Sequence, residues 1–369
     1  MRDPRVAKYA ELIVAYSVGI KEGDKVLING STLAAPLLRE VYAAVLRAGG
    51  FPLTMVSLPD MEDILYRHAS DGQLLHVPPP LMTAIETYDA VISISGAENT
   101  KNLSEVDPQR VVTRNRGRRE MLEVFMRRAA AGELRWVGAL YPTSAYAQDA
   151  EMSLEDYEDF VFGACMPDPD DPVGYWREFS HRQGKIARWL SDKREIHVVG
   201  PGTDLRLSVA GRTFISCDGR HNLPDGEVFT GPVEDSVEGT VHFSYPAIYQ
   251  SREVVGVTLE FKKGRVTSAR ADKNEEFLLK ILDTDEGSRY VGEFAIGTNE
   301  GIRRFTKQIL FDEKICRSFH LALGAGYPET GSNNRSSIHW DLICDLSDGE
   351  IRADGETVYR DGRFLFDPS

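Results

Sequence analysis

The chain has 369 residues, with 57 acidic against 43 basic and a formal charge of −14. That length suits two domains with a sizeable core, and that charge excludes the basic footprint of a duplex nucleic-acid binder. The four cysteines, Cys165, Cys217, Cys316 and Cys344, lie far apart with no CxxC pair, which argues against a zinc knuckle, a thioredoxin motif or a disulfide scaffold and for a reducing cytoplasm.

In chain order, Asp3-Pro4 sets an N-cap residue before a proline at the first helical position. Val6, Tyr9, Leu12, Ile13 and Tyr16 follow at helical spacing. Charges punctuate this apolar stretch, so it is not read as a signal peptide, and no run of about 18 apolar residues predicts a membrane span. "KVLING", "PLTMVSL", "YDAVISISG" and "RWVGALY" read as buried strands. They alternate with the helical patterns "APLLREVYAAVLRAGG" and "RGRREMLEVFMRRAAAG". This βαβ grammar predicts an N-terminal α/β domain with a mostly parallel sheet. Ser153 with Asp156 forms a capping-box pattern, and Asp171-Pro172 opens another helix.

After residue 190 the grammar changes. "EIHVVG", "DLRLSVAG", "VEGTVHFS", "HLALGAG" and "IHWDLICDL" read as strands. "LEFKKGRVTSA" and "ETVYRDGRFLF" read as hairpins through Lys-Gly and Asp-Gly turns. The expected organisation is an α/β domain over residues 1–188 and a C-terminal α+β domain, rich in antiparallel strands, over residues 189–369.

The motifs GxxxxGK[ST], GxSxG and HExxH are absent, and "GPGTDL" reads as a turn. His68, His76, His181, His197, His221 and His242 read as surface or packing residues. The second half nevertheless holds acids and imidazoles in apolar strand contexts. Glu227 opens "EVFT", Glu293 lies in "GEFAIG", Glu313 lies in "LFDEKI" and His320 lies in "FHLALG". In "IHWDLICDL", His339 and Asp341 share one strand face, with Ile338, Trp340 and Leu342 on the other. Carboxylates in such places are costly unless paired or metal-bound, and this set could supply a two-metal site. Each also has a plainer reading. Glu293 could pair with an arginine such as Arg303, His320 could be a satisfied core histidine, and His339 with Asp341 could be a hydrogen-bonded strand pair. Spacing alone does not choose.

The stretches "NLPDGEVFTGPVEDSVEGTVHFSYPA", "LDTDEGSRYVGEFAIGTNEGI", "ILFDEKI", "HLALGAGYPETG" and "SIHWDLICDL" are similar to the central and C-terminal blocks of the M29 metallo-aminopeptidases. The N-terminal "YAELIVAYSVGIKEGDKVLI" resembles that family too, so the likeness covers essentially the whole chain. It implies a metal site in the C-terminal domain built from Glu227, Glu293, His320, His339 and Asp341, with Glu293 serving both metals. It implies Glu313 as a ligand or the general base, and Tyr327 as a tyrosine facing the metals. The implied cofactors are two divalent ions, zinc with cobalt or manganese as alternatives, and an activated water. The implied substrate is a peptide with a free N-terminus, and the implied assembly is a homodimer. Another metal-dependent amidohydrolase, or a non-catalytic binding protein that has kept the fold, are the alternatives. One departure is "CRSF" (residues 316–319), where relatives tend to carry small residues. Its alternation is read as keeping strand periodicity up to His320, with Arg317 near the site and Cys316 as a conceivable soft ligand.

Overall fold

A computed structural model of the chain describes residues 3–250 and 252–365. Contacts divide it into two compact units, one running to Tyr175 with Gly219–Pro224 added, the other Trp176–Asp218 and the chain from Asp225 onward. The division falls inside the helix Pro172–Ser191. Ile186, Ala187 and Leu190 of that helix belong to the core of the second unit.

In the first unit, strands Phe51–Ser57, Lys25–Ser31, Ala90–Ser95, Arg135–Leu140 and Asn222–Leu223 lie side by side in that order, all parallel. Val26, Leu27 and Ile28 are fully buried in succession, as a strand covered on both faces requires. The first helix, Pro4–Leu12, starts where the Asp3 carboxylate accepts the Arg5 amide at 2.9 Å. The Ser153 hydroxyl does the same for Asp156 at 3.1 Å, opening Leu154–Cys165.

The second unit is antiparallel. Its eight-stranded sheet has the order Arg265–Arg270, Thr258–Lys262, Glu238–His242, Thr203–Ser208, Glu195–Gly200, Glu350–Ala353, Glu356–Arg360, Arg363–Phe364. Thr203–Ser208 shows why it forms: Leu205 and Leu207 are buried while Asp204 and Arg206 face out. The Lys263-Gly264 and Asp361-Gly362 turns both take positive φ at both residues, the geometry that matches the twist of a tight hairpin. A five-stranded sheet follows the order His339–Asp345, Ser318–Gly324, Val291–Gly297, Glu227–Thr230, Ile215–Cys217. Val198, Leu205 and Val241 of the larger sheet share one apolar cluster with Phe294, Leu321 and Leu342 of the smaller.

The central strand Val291–Gly297 and the edge strand His339–Asp345 of the smaller sheet are tied at their entrances by Asp285. Its carboxylate accepts the Ser337 amide at 2.7 Å, the Ser336 and Ser337 hydroxyls at 2.7 Å each, and the Ser288 hydroxyl at 2.9 Å. Ser288 precedes Val291–Gly297 and Ser337 precedes His339–Asp345, so one side chain fixes both starts. Burial works against the Asp285 carboxylate, but these bonds win and hold its pKa well below the ordinary 3.8. A depressed carboxyl stabilises the fold above its unfolded value and loses that contribution as pH falls through the folded value. Asp285→Ala should therefore cost about 2 kcal/mol at neutral pH. The gap between wild-type and variant melting temperatures should narrow below about pH 3.8. Equal melting at neutral pH would show that the tie carries no stability.

Candidate metal centre

Register builds this site. Across the five-stranded sheet, Cys217 lies opposite Glu227, Glu227 opposite Gly297, Ala295 opposite His320, Glu293 opposite Ala322, Ala322 opposite Asp341, and Gly324 opposite His339. Residues directly opposite share a face. One face thus carries Cys217, Glu227, Glu293, His320, His339 and Asp341, spaced by Ala295, Gly297, Ala322 and Gly324. The other face carries Val228, Phe294, Ile296, Phe319, Leu321, Leu323, Trp340 and Leu342, all in the apolar core. The small residues leave room between the polar side chains of this face. Gly324 has a further reason: its φ is +99°, and a Cβ there would collide with the Ile338 carbonyl.

Both imidazoles are aimed by backbone. The Nδ1 of His320 bonds the Glu313 carbonyl at 3.1 Å, and that of His339 bonds the Ala325 carbonyl at 2.8 Å. This turns each Nε2 toward the carboxylates, the orientation typical of metal-ligating histidines. His320 Nε2 lies 3.3 Å from Glu293 Oε1, 3.6 Å from Glu227 Oε2 and 4.0 Å from Asp341 Oδ1. His339 Nε2 lies 3.4 Å from Asp341 Oδ1 and 3.6 Å from Glu293 Oε2. Glu293 therefore gives one oxygen to each imidazole. Its partners are these rings and not Arg303, whose Nε bonds the Glu300 carbonyl.

Two groups of potential ligand atoms result, Glu227–Glu293–His320 and Glu293–His339–Asp341, each within 4.8 Å and sharing Glu293. The donor set fits divalent cations. Glu227 is only 6% exposed, and its Oε2 has no hydrogen-bond partner, an expensive condition for a buried carboxylate. The electrostatics ask for the same thing. Burial pushes the Glu227 carboxyl up to about 8 against the pull of Lys314. Burial alone would lower the His320 imidazole, yet Glu293, Glu227 and Asp341 lift it to about 9. His339 rises to about 10, with Asp341 and Glu293 outweighing burial. The cluster holds more negative charge than the interior tolerates and draws in protons, the role a metal ion takes over when it binds.

The remaining expected residues flank these groups. Glu313 caps the short helix Ile309–Asp312, and burial raises its pKa. Tyr327 is 39% exposed and packs edge-on against both Phe229 and His339, at 5.4 Å between ring centroids in each case. Exposure thus increases from Lys314, fully buried, to His339 and Tyr327, so the site opens on the tyrosine side.

Sequence reasoning missed Lys314. Its Nζ pairs with Glu313 Oε1 and lies 3.9 Å from Glu227 Oε1. A lysine inside "FDEKIC" was the available signal. Also missed was Cys217, which joins Asp225 and Glu227 in a third group within 4.8 Å. The reading of "CRSF" is corrected. Cys316 and Arg317 form a turn, Arg317 sits at φ +72°, and the strand begins at Ser318. The Cys316 thiol donates to the Gly362 carbonyl at 3.4 Å and joins none of the three groups. Of the other histidines, His197 meets Asp204 at 2.7 Å, His242 meets Thr258 at 3.0 Å, and His221 packs on Trp136.

Known proteins match this chain along its length. Aminopeptidase 2 of Geobacillus stearothermophilus is 30% identical over 405 residues, covering 98% of this chain and 97% of that protein. Aminopeptidase T of Thermus thermophilus is 26% identical over 392 residues, covering 96% and 95%. The solved structure of wild-type AmpT from Thermus thermophilus superposes with a TM-score of 0.85 at 22% identity, covering 98% of this chain and 99% of that one. That of 2,5-dihydroxypyridine dioxygenase from Pseudomonas putida KT2440 gives 0.58 at 14% identity, covering 98% and 96%. The same fold thus supports different chemistries, and the fold alone does not choose between them. The sequence does choose: the model of the thermophilic metalloprotease (M29) family matches residues 2–364, and the chain belongs to that family.

Proposed function

We propose that the protein is a metal-dependent aminopeptidase whose chemistry resides in the second unit. The observation that carries this reading is Glu293, which presents one oxygen to each of two imidazoles and joins two groups of ligand atoms on one small-residue face. Glu227, Glu293 and His320 would hold one divalent ion, and Glu293, His339 and Asp341 a second. Zinc suits this mixed oxygen and nitrogen set, and cobalt or manganese would fill it too. Such ions supply Lewis-acid polarisation of the scissile carbonyl and an activated water.

The chain's own residues do the rest. Glu313, raised by burial, takes a proton from water and passes it to the leaving amine. Burial and the carboxylates of the cluster keep the Tyr327 hydroxyl protonated far above neutrality, so it donates to the oxyanion that develops. The free α-amine of the peptide would be anchored by a carboxylate that no ion takes up, or by a bound ion. The open Tyr327 side admits the peptide.

The first unit suggests how copies pair. Phe51, Val56 and Leu58, in and beyond the edge strand Phe51–Ser57, are exposed, as are Leu122 and Met126 of the helix Pro108–Ala130, which has no buried residue. An edge strand with exposed apolar side chains invites pairing with another chain, and we assign the Phe51–Ser57 edge to a homodimer. The four cysteines form no disulfide with one another among the described residues, which suits a reducing, cytoplasmic setting. Among the described residues no helix is long and apolar enough to cross a membrane.

Chelation should abolish hydrolysis of aminoacyl anilides, and Zn²⁺, Co²⁺ or Mn²⁺ should restore it. Full activity in rigorously metal-free protein, or turnover of simple amides in preference to aminoacyl anilides, would overturn the reading. Glu313→Gln should lower kcat by about 10²–10⁴-fold with metal content retained, the range expected for loss of a general base. His339→Ala should leave a folded protein with reduced metal occupancy and a rate that falls far more than stability does. Wild-type occupancy and rate in that variant would return His339 and Asp341 to a structural pair. Phe51→Asp with Val56→Asp should halve the mass seen in sedimentation, and an unchanged mass would exclude this face as the interface.

A further inference from the structure

Glu227 divides its two oxygens between different surroundings. Oε2 faces His320 Nε2 at 3.6 Å and has no hydrogen-bond partner, while Oε1 faces Lys314 Nζ at 3.9 Å. On the Glu227 carboxylate also converge Cys217 and Asp225, with ligand atoms within 4.8 Å of one another. A thiol and two carboxylates make a competent set for zinc or cadmium, and the thiolate would make it softer than either group around Glu293. Yet a buried cation is already there. Lys314 has no exposed side-chain surface, and its ammonium feels the charges of Glu313, Glu227 and Asp225 together. An ammonium has three donors and no lone pair, so it balances the carboxylates without ligating anything. It also repels a divalent ion at short range in a dry interior, where charges act strongly.

We propose that Lys314 is a positioning residue: its tethered ammonium takes the place of a cation on the Cys217–Asp225 side of Glu227, keeps that group from binding metal, and leaves Glu227 Oε2 to the Glu293–His320 side. The inference rests on the metal reading of the Glu293 groups. It gives the buried lysine a task in deciding how many ions the centre holds. Cys217 and Asp225 are then a latent third site that the protein suppresses.

The test titrates the full-length chain with Zn²⁺ and with Cd²⁺, measuring ions bound per chain and the ultraviolet charge-transfer band of a thiolate–Cd²⁺ bond. Wild-type protein should bind metal without that band. Lys314→Met should bind one further ion per chain and show the band, and Lys314→Met with Cys217→Ser should lose both gains. Lys314→Gln, closer in polarity, repeats the comparison should the methionine variant fail to fold. Cys217→Ser alone should match wild type in ions bound. A thiolate band in wild-type protein, a lower stoichiometry in Cys217→Ser, or a folded lysine variant with no additional ion would overturn the inference. Wild-type protein that binds no metal would instead remove the reading of the Glu293 groups, so the two failures are separable.

Discussion

The structure depends on holding Glu227, Glu293, Glu313 and Asp341 together in a dry place. Ionised carboxylates cannot be buried side by side without positive charge or protons among them. The fold supplies part of that charge through Lys314 and the imidazoles of His320 and His339. What it does not supply shows in the unpartnered Glu227 oxygen and in the raised Glu227 carboxyl. Packing so many ionisable groups together is costly to the fold, which points to a functional reason for them. The rest of the second unit reads as the means of meeting that cost.

Those means begin with the antiparallel sheet. Its apolar face joins the larger sheet in one cluster, with Phe294, Phe319, Leu321 and Trp340 at 1% exposure or less. This burial lets the opposite face be unfavourable. The same pleat that sends Trp340 and Leu342 into the core sends His339 and Asp341 to the site. A one-residue slip would exchange the two sets, so the core enforces the register that the chemistry needs. Between Val291 and Glu293 the pairing shifts, a local irregularity next to the residue that serves both groups.

How much of this was legible in the sequence follows from periodicity. His339–Asp341 was readable because alternation over seven residues fixes which side chains face together. Glu293 and His320 stood out as polar groups inside apolar runs, but each also had a plainer reading, and the family resemblance rather than the spacing singled them out as ligands. The parallel sheet was readable from strand and helix alternation, but its fifth strand, Asn222–Leu223, is two residues that return from far along the chain, and no local signal marks them. Lys314 lies outside any strand, after a short helix, so no period reveals which way it points. "CRSF" misled for a related reason. Alternation of residue type survives in a turn, whereas the positive φ of Arg317 is not written in an arginine.

The turn at Arg317 shows that a departure in sequence need not be a departure in the site. Its carbonyl accepts the Leu346 amide at 2.7 Å, and its own amide donates to the Tyr359 hydroxyl at 3.2 Å. These bonds tie the start of Ser318–Gly324 to the residue that follows His339–Asp345 and to the strand Glu356–Arg360 of the larger sheet. The neighbouring Ser318 hydroxyl donates to the Ile315 carbonyl at 2.8 Å, closing the loop that carries Glu313 and Lys314. The carbonyl of Glu313 in turn orients His320. The backbone of Arg317 and the Ser318 hydroxyl therefore brace the segment next to the loop whose backbone aims one imidazole and whose side chains set the charge beside Glu227. The segment thus contributes to the support of the centre and supplies none of the ligand atoms in its three groups.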